Sequence, residues 1–506
     1  KLSGKLRGWS IGVLDAVTVR EHADYITEDG ERGRAEVAPW SNFFAARGRR
    51  ELRGGQSVVG GILTAIHRQL TDDALAERLR GSAYAGGIDF THEWADREWS
   101  VSGFVSGSLI HGRPAVIVSA QRSSARYYHR PDADYLTIDS AAHSLRGWSG
   151  RIELEKEAGE HWRGDVSFST ISPGYETNDL GFQSRADEHS ASFALEYVNE
   201  EPGRVFRNWN VEMRPRMEWN WGGDRLASTV DLEASSEWLN YWVTDLEFSH
   251  DFATLDDRLT RGGPLARRPA RTTWSMSIES DSRLPLTLDF GIDHEFGAAG
   301  NSTEIDLELG FKPAPNWNLS VSPGWTRERS TAQFVTAITD SLARSTFGRR
   351  YVFADLDEQE LGVSLRSNIT FTPSLTLEVF ARPFIGSGRF NTPKELSAPR
   401  TFDFLPYHEI GTVVQDGNEL IIDPDALGPA ESFELEDEDF TFHSLRGNAV
   451  LRWEWRPGST LFLVWQQQRE AEETLGDLRI GRDFKRIGQL KPQNVFMIKI
   501  SYWFTP

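Results

Sequence analysis

The chain has no cysteine. Disulfides and thiolate metal centres are therefore excluded, which suits an oxidising compartment without proving one. It also lacks any long apolar run. The longest unbroken stretch of apolar side chains is Leu461 to Trp465, and a spanning helix needs about 20 such residues. Helical membrane insertion is excluded on that ground. Positive charge is in deficit: 55 Lys and Arg face 75 Asp and Glu, a net charge of −20 that argues against a nucleic-acid partner. No signal peptide opens the sequence, and a start at Lys1 reads as a mature chain or a fragment. Against this polar background stand 18 Trp and 29 Phe, which need a place to go.

Their place is set by a period of two. At the C-terminal end Phe496, Ile498, Ile500, Tyr502 and Phe504 share one parity, and Val495, Met497, Lys499, Ser501 and Trp503 the other. Successive side chains of a strand point to opposite faces, so the first set forms a wholly apolar face and the second a mixed one. The pattern recurs along the chain. Leu286, Leu288, Phe290, Ile292 and Phe296 alternate with Thr287, Asp289, Gly291, Asp293 and Glu295. Ile305, Leu307, Leu309 and Phe311 alternate with Glu304, Asp306, Glu308 and Lys312. Tyr84, Ile88, Phe90 and Trp94 oppose Asp89, Thr91 and Glu93.

Connections alternate between short and long. Tight ones carry proline, as in RLPLTL from Arg283, FTPSLTL from Phe371 and RPGSTLF from Arg456. Longer polar loops lie between them, such as Asp257–Ala270 and Asn391–Asp437. Many alternating segments run to ten residues or more, whereas strands of soluble domains average about five or six. A tilted membrane-spanning strand needs about 9–11. The pattern predicts an all-β chain: one transmembrane antiparallel up-and-down β-barrel over residues 1–506, with about twenty strands or more. Short turns would face the periplasm and long loops the exterior, with Trp94, Trp99, Trp219, Trp317, Trp455 and Trp503 in the aromatic girdles. The count of about twenty begins near Gly8, and Lys1–Ser3 reads as the tail of a further strand.

Several stretches resemble a family of Gram-negative outer-membrane proteins of unknown function. They are KLSGKLRGWSIGVLDAVT from Lys1, SVVGGILTAIHR from Ser57, SSARYYHRPDADY from Ser123, LDDRLTRGGPLARRP from Leu255, SDSRLPL from Ser280 and the terminal QNVFMIKISYWF. In that family the barrel usually follows an N-terminal module like a family-9 carbohydrate-binding domain, absent from this sequence. The resemblance implies a fold and a location in the cell outer membrane, and no activity.

Hydrolytic chemistry has weak support. His143–Ser144, His189–Ser190 and His443–Ser444 are adjacent pairs, and adjacent strand residues point to opposite faces, so none is by itself a nucleophile with its base. The acidic run Glu431, Glu434, Glu436, Asp437, Glu438 and Asp439 lacks calcium-loop spacing and reads as a solvated segment. No cofactor, metal or catalytic residue is expected. AVIVSAQRSSARYY, from Ala115 to Tyr128, reads as a helix that caps the mouth or folds inward.

Two constellations remain. If neighbouring strands carry them, Asp289, Asp293, Glu295, Glu304, Asp306 and Glu308 form an acidic wall in the lumen. Arg258, Arg261, Arg267, Arg268 and Arg271 sit in or beside the loop just before these strands, where Gly262–Gly263–Pro264 allows a tight bend. The expectation is a loop folded inward toward the wall, the alternative being arginines at the surface that bind lipopolysaccharide phosphates. The functional expectation is a passive, cation-preferring channel or translocation pore, partly occluded by loops. The other readings are a barrel anchoring a surface protein or glycan-binding module, and an outer-membrane hydrolase. Expected partners are outer-membrane lipid, lipopolysaccharide and, during biogenesis, the barrel-assembly machinery.

Overall fold

The computed structural model describes residues 1–504. Twenty-two strands belong to one antiparallel up-and-down sheet. The count exceeds the expected twenty for two reasons. LSGKL, of which Lys1–Ser3 was expected to be a strand tail outside the count of twenty, forms the strand Leu2–Leu6 and pairs with Trp9–Thr18 through the turn at Arg7–Gly8. The three-residue strand Phe404–Pro406 adds an edge to Leu375–Leu396.

The chain divides into two compact units. The first comprises 1–198, 212–230 and 252–268. In it, Leu2–Leu6, Trp9–Thr18, Trp40–Leu52, Ser57–Gln69, Ser82–Trp94, Trp99–His111, Ser144–Lys156, Trp162–Ile171 and Glu188–Asn199 pair in sequence order. The links after Leu6, Leu52, Trp94 and Lys156 are two to five residues long and permit only an antiparallel neighbour, whereas longer loops join the other pairs. One face is apolar and open: Ile88 is 66% exposed. The other carries Asp89, whose two oxygens accept the fork of Arg47.

The polar face of the first unit is covered near its long-loop end. The helix Pro114–Arg122 packs Ile117 and Ala120 onto Ile66, Ala83 and Ile110, which share a face with Asp89 by register. Pro114 starts this helix, as its fixed φ favours the first helical turn. It stops six residues short of the expected end because Ser123 turns extended and its hydroxyl bonds back to the Ala120 carbonyl at 2.9 Å.

The second unit comprises 199–211, 231–251 and 269–506, described to residue 504. Its main strands are Val243–Asp251, Arg271–Glu279, Leu286–Gly297, Gly300–Ala314, Trp317–Thr339, Arg349–Thr372, Leu375–Leu396, Phe440–Arg456, Ser459–Glu473 and Gln493–Ser501, again paired in order. Arg349–Thr372 has 24 residues, and at about 3.3 Å each it runs roughly 80 Å, well beyond a hydrocarbon core of about 30 Å. The surplus length of these strands is packed by a three-stranded sheet (Thr412–Asp416, Glu419–Asp423, Phe433–Glu436) through Val352, Tyr407, Ile422 and Leu435. The helix Ile480–Gln489, not anticipated from the sequence although Ile480, Phe484 and Ile487 stand at helical spacing, buries Asp483 against His443 at 3.2 Å. At the last short turn Gly458 has φ 78°, and a Cβ there would stand 2.8 Å from the Cβ of Trp503.

Candidate functional site

The acidic residues fall on one face of adjacent strands. Asp289 stands opposite Glu308 and Asp293 opposite Glu304, while Glu295 faces Ser302 and Asp306 faces Gly291. Phe290, one residue along, pairs with Leu307 and Ile278 on the other face. Directly opposed like charges destabilise a sheet unless water or counterions screen them. Among the described residues, no lysine or arginine is within ion-pair distance of Asp289, Asp293, Glu304, Asp306 or Glu308. Glu308 accepts the Ser322 hydroxyl at 2.9 Å, and Glu295 alone of the six meets a cation, Arg271 at 3.1 Å.

The same face carries acids that the sequence reading missed. Glu279 is opposite Asp289. Glu360 is opposite Thr326, itself the partner of Glu304, and Glu358 is opposite Glu328. Each lies in an alternating segment, so period two could have flagged it. Membership of one wall is a matter of register, which depends on bulges such as that between Phe311 and Ala314.

The arginines in and beside the loop have partners of their own. Arg258 donates to the carbonyls of Ser184 at 3.3 Å and Ala125 at 3.4 Å. Arg268 pairs with Asp256 at 2.5 Å, and Arg267 is exposed on the hairpin opposite Leu255. Arg261 takes a positive φ of 49° at the bend. Arg271 pairs with Asp251 as well as with Glu295. Gly262, at φ 97°, lies against His129, where a Cβ would come within 2.1 Å of the ring.

The loop therefore docks on the SSARYYHRPDADY segment, forming a buried polar knot in the first unit. Arg126, with a side chain 0% exposed, pairs with Glu176 at 2.6 Å and donates to the Tyr175 carbonyl at 2.9 Å. Burial alone would raise the Glu176 carboxyl, but Arg126 and Arg80 outweigh it and hold its pKa below the usual value. The strap bearing Glu176 lies on the polar face, since Ser108 and Ser106 of that face meet the Glu176 N–H and the Tyr175 hydroxyl, each at 2.8 Å. Gly147 makes room for it, as a Cβ there would sit 2.1 Å from the Tyr175 nitrogen. Tyr135 donates to Asp187 at 2.6 Å, Arg130 lies 3.6 Å from Asp257, and Asp257 also takes Arg185 at 3.0 Å. Burial pushes the Asp187 carboxyl up to about 6 and the Tyr128 phenol up to about 12. Glu176 and Asp187 had no motif to announce them.

Two of the adjacent His–Ser pairs have partners that separate the histidine from its neighbouring serine. His443 bonds Asp483, while Ser444 lies on the opposite strand face in register with Phe384 and Glu470. His189 lies against Trp221, with ring centroids 4.8 Å apart.

Among solved structures, the chain is similar to an anion-selective porin from Comamonas acidovorans (10% identity, 65% of this chain, 91% of that one, TM-score 0.28). It is similar also to the siderophore receptor PirA from Acinetobacter baumannii (9% identity, 96% and 80% covered, TM-score 0.35). A third is the FrpB iron transporter from Neisseria meningitidis (8% identity, 91% and 76% covered, TM-score 0.38). Scores this low decide nothing about activity. No curated protein matches the chain. A family model described as a domain of unknown function, DUF5916, matches residues 1–505, and the chain belongs to that family.

Proposed function

We propose that the sheet closes into an outer-membrane β-barrel and acts as a passive, cation-preferring channel or translocation pore without enzymatic activity. The observation that carries this is the division of faces. Leu286 and Ile498 are 61% and 71% exposed on the apolar side, which in water would be an aggregation surface and in lipid is a fitted one. The opposite side of the strand of Leu286 and of its neighbour Gly300–Ala314 carries carboxylates in register, and such a wall is stable where water and cations reach it. Charged linings of this kind set ion preference in pores. The helix Pro114–Arg122 and the strap at Tyr175–Glu176 narrow the passage on this reading. The test is a planar-bilayer recording of the purified chain under a salt gradient. A reversal potential of the cation-selective sign is expected. Anion preference, or a silent protein, contradicts the proposal.

One observation favours a second reading, a barrel that anchors a surface partner. The polar face of the first unit is filled by packed side chains rather than left open, with Ile66, Ile110 and Ile117 all 0% exposed. A silent protein that retains a bound surface partner or glycan would favour this reading.

A further inference from the structure

The acidic wall gives way, on the same face of the second unit, to a patch of opposite character. Arg382 stands directly opposite Arg446, Arg446 opposite Gln468, and Gln468 opposite Gln493. Next to that row Phe380 is opposite Asn448, Asn448 opposite Gln466, and Gln466 opposite Val495. The shared face follows from the registers. Asp306 pairs with Gly324, Gly324 with Gly362, Gly362 with Phe384 and Phe384 with Ser444, two residues from Arg446.

Two arginines opposed on neighbouring strands repel as the acids do. In a chain of net charge −20, a carboxylate for each would be easy to supply. Neither has one among the described residues: Arg382 lies over the Phe384 ring at 6.0 Å, and of the two carboxylates that flank this patch by register, Glu378 and Glu470, the latter takes a hydrogen bond from Gln468 at 2.7 Å. Arg446, Asn448, Gln466, Gln468, Gln493 and Phe380 line a cavity of about 290 Å³, near the lower limit of small-ligand sites.

We propose that this cavity binds an anionic sugar, a carboxylate-bearing monosaccharide unit such as a uronate. The fork of Arg446, the guanidinium that lines this cavity, accepts a carboxylate bidentately. The amides of Asn448, Gln466 and Gln493 each offer a donor and an acceptor, as vicinal hydroxyls require. The ring of Phe380, with Arg366 over it at 5.4 Å, supplies apolar carbon to the same lining. The volume admits one residue of such a chain. The proposal rests on the reading of this face as a water-filled wall, because a solute must reach it.

The experiment is calorimetric titration of the detergent-solubilised chain with D-galacturonate, D-galactose and inorganic phosphate, kept separate from conductance. Galacturonate should bind at least tenfold more tightly than galactose or phosphate. R446Q should abolish that preference while leaving the circular dichroism spectrum and heat-modifiable mobility unchanged. N448A/Q466A, with both arginines intact, should weaken galacturonate at least threefold and leave phosphate unchanged. Equal binding of galactose and galacturonate overturns the anion site, as does the absence of any binding. Phosphate binding as tight as galacturonate overturns the sugar and leaves a bare oxyanion site. A chain that conducts but binds none of the three disproves this inference alone. A chain that binds galacturonate but is silent disproves the pore and keeps the site.

Discussion

Tyr135 donates its hydroxyl to one oxygen of Asp187 at 2.6 Å while the Trp221 N–H binds the other at 3.0 Å. Asp187 is 2% exposed, and burial is the main cause that lifts its carboxyl to about 6, against an ordinary value near 3.9. A group whose folded pKa is raised holds its proton more firmly in the docked state. The stability it contributes is fully present below about pH 4 and is lost as pH rises through about 6.

The loop knot should accordingly be tighter at pH 5 than at pH 7.5. Amide exchange at Trp221 and tryptic cleavage around Arg258 should both be slower at the lower pH. Asp187→Asn keeps the acceptor for Trp221 and removes the titration, so its exchange rates should lack that pH difference after correction for intrinsic chemistry. An unchanged pH dependence in the variant would exclude Asp187 as the titrating group.

Glu176→Gln tests the charge pair beneath the knot. It leaves the Arg126 guanidinium buried without its countercharge, and breaking one side of such a pair costs roughly 3–5 kcal/mol. Local rather than global loosening is expected, because the strand ladders do not depend on the strap. Protease sensitivity should rise between Ser172 and Asp187, and single-channel conductance should increase if the strap narrows the passage. Wild-type protease resistance in the variant would show that the pair is dispensable.

Ile88 lies at the middle of Ser82–Trp94 on the apolar face and is 66% exposed. In a bilayer, arginine at this depth costs about 2–4 kcal/mol. Ile88→Arg should therefore lower folding yield into lipid vesicles and shift the urea midpoint downward. Asp89→Asn, one residue along and facing Arg47, should leave the yield near wild type. Equal behaviour of the two variants would remove the argument that the apolar face meets lipid.

Which parts were legible in the sequence follows from how local each signal is. Period two is local, and it assigned Phe290 and Asp289 to opposite faces correctly. Proline-bearing turns are local too, and they marked hairpins such as that between Thr372 and Leu375. The loop knot was not legible, because Arg126 meets Glu176 and Asp257 meets Arg185 across 50 and 72 residues. The basic end of the wall escaped for the same reason. Arg382 and Arg446 become a pair only through a cross-strand register that spans the long loop after Leu396.

The acidic wall yields the last prediction. Asp289 faces Glu308 and Asp293 faces Glu304, so each carboxylate is held beside another with no arginine to relieve it. Opposed pairs on a sheet contribute about 0.2–1 kcal/mol each, and the sign is unfavourable for like charges. D289N/E308Q keeps shape and hydrogen-bonding capacity while removing two charges. It should raise the unfolding midpoint slightly at low salt, with the gain disappearing near 1 M salt, where the screening length falls to about 3 Å. The same variant should move the reversal potential toward zero in a salt gradient. D293N/E304Q should add to that shift, since both pairs line one wall. Stability that falls on neutralisation would mean the carboxylates are held by a bound cation. Selectivity that ignores both pairs would mean that permeant ions do not pass this wall, and the pore reading would then lose its main support.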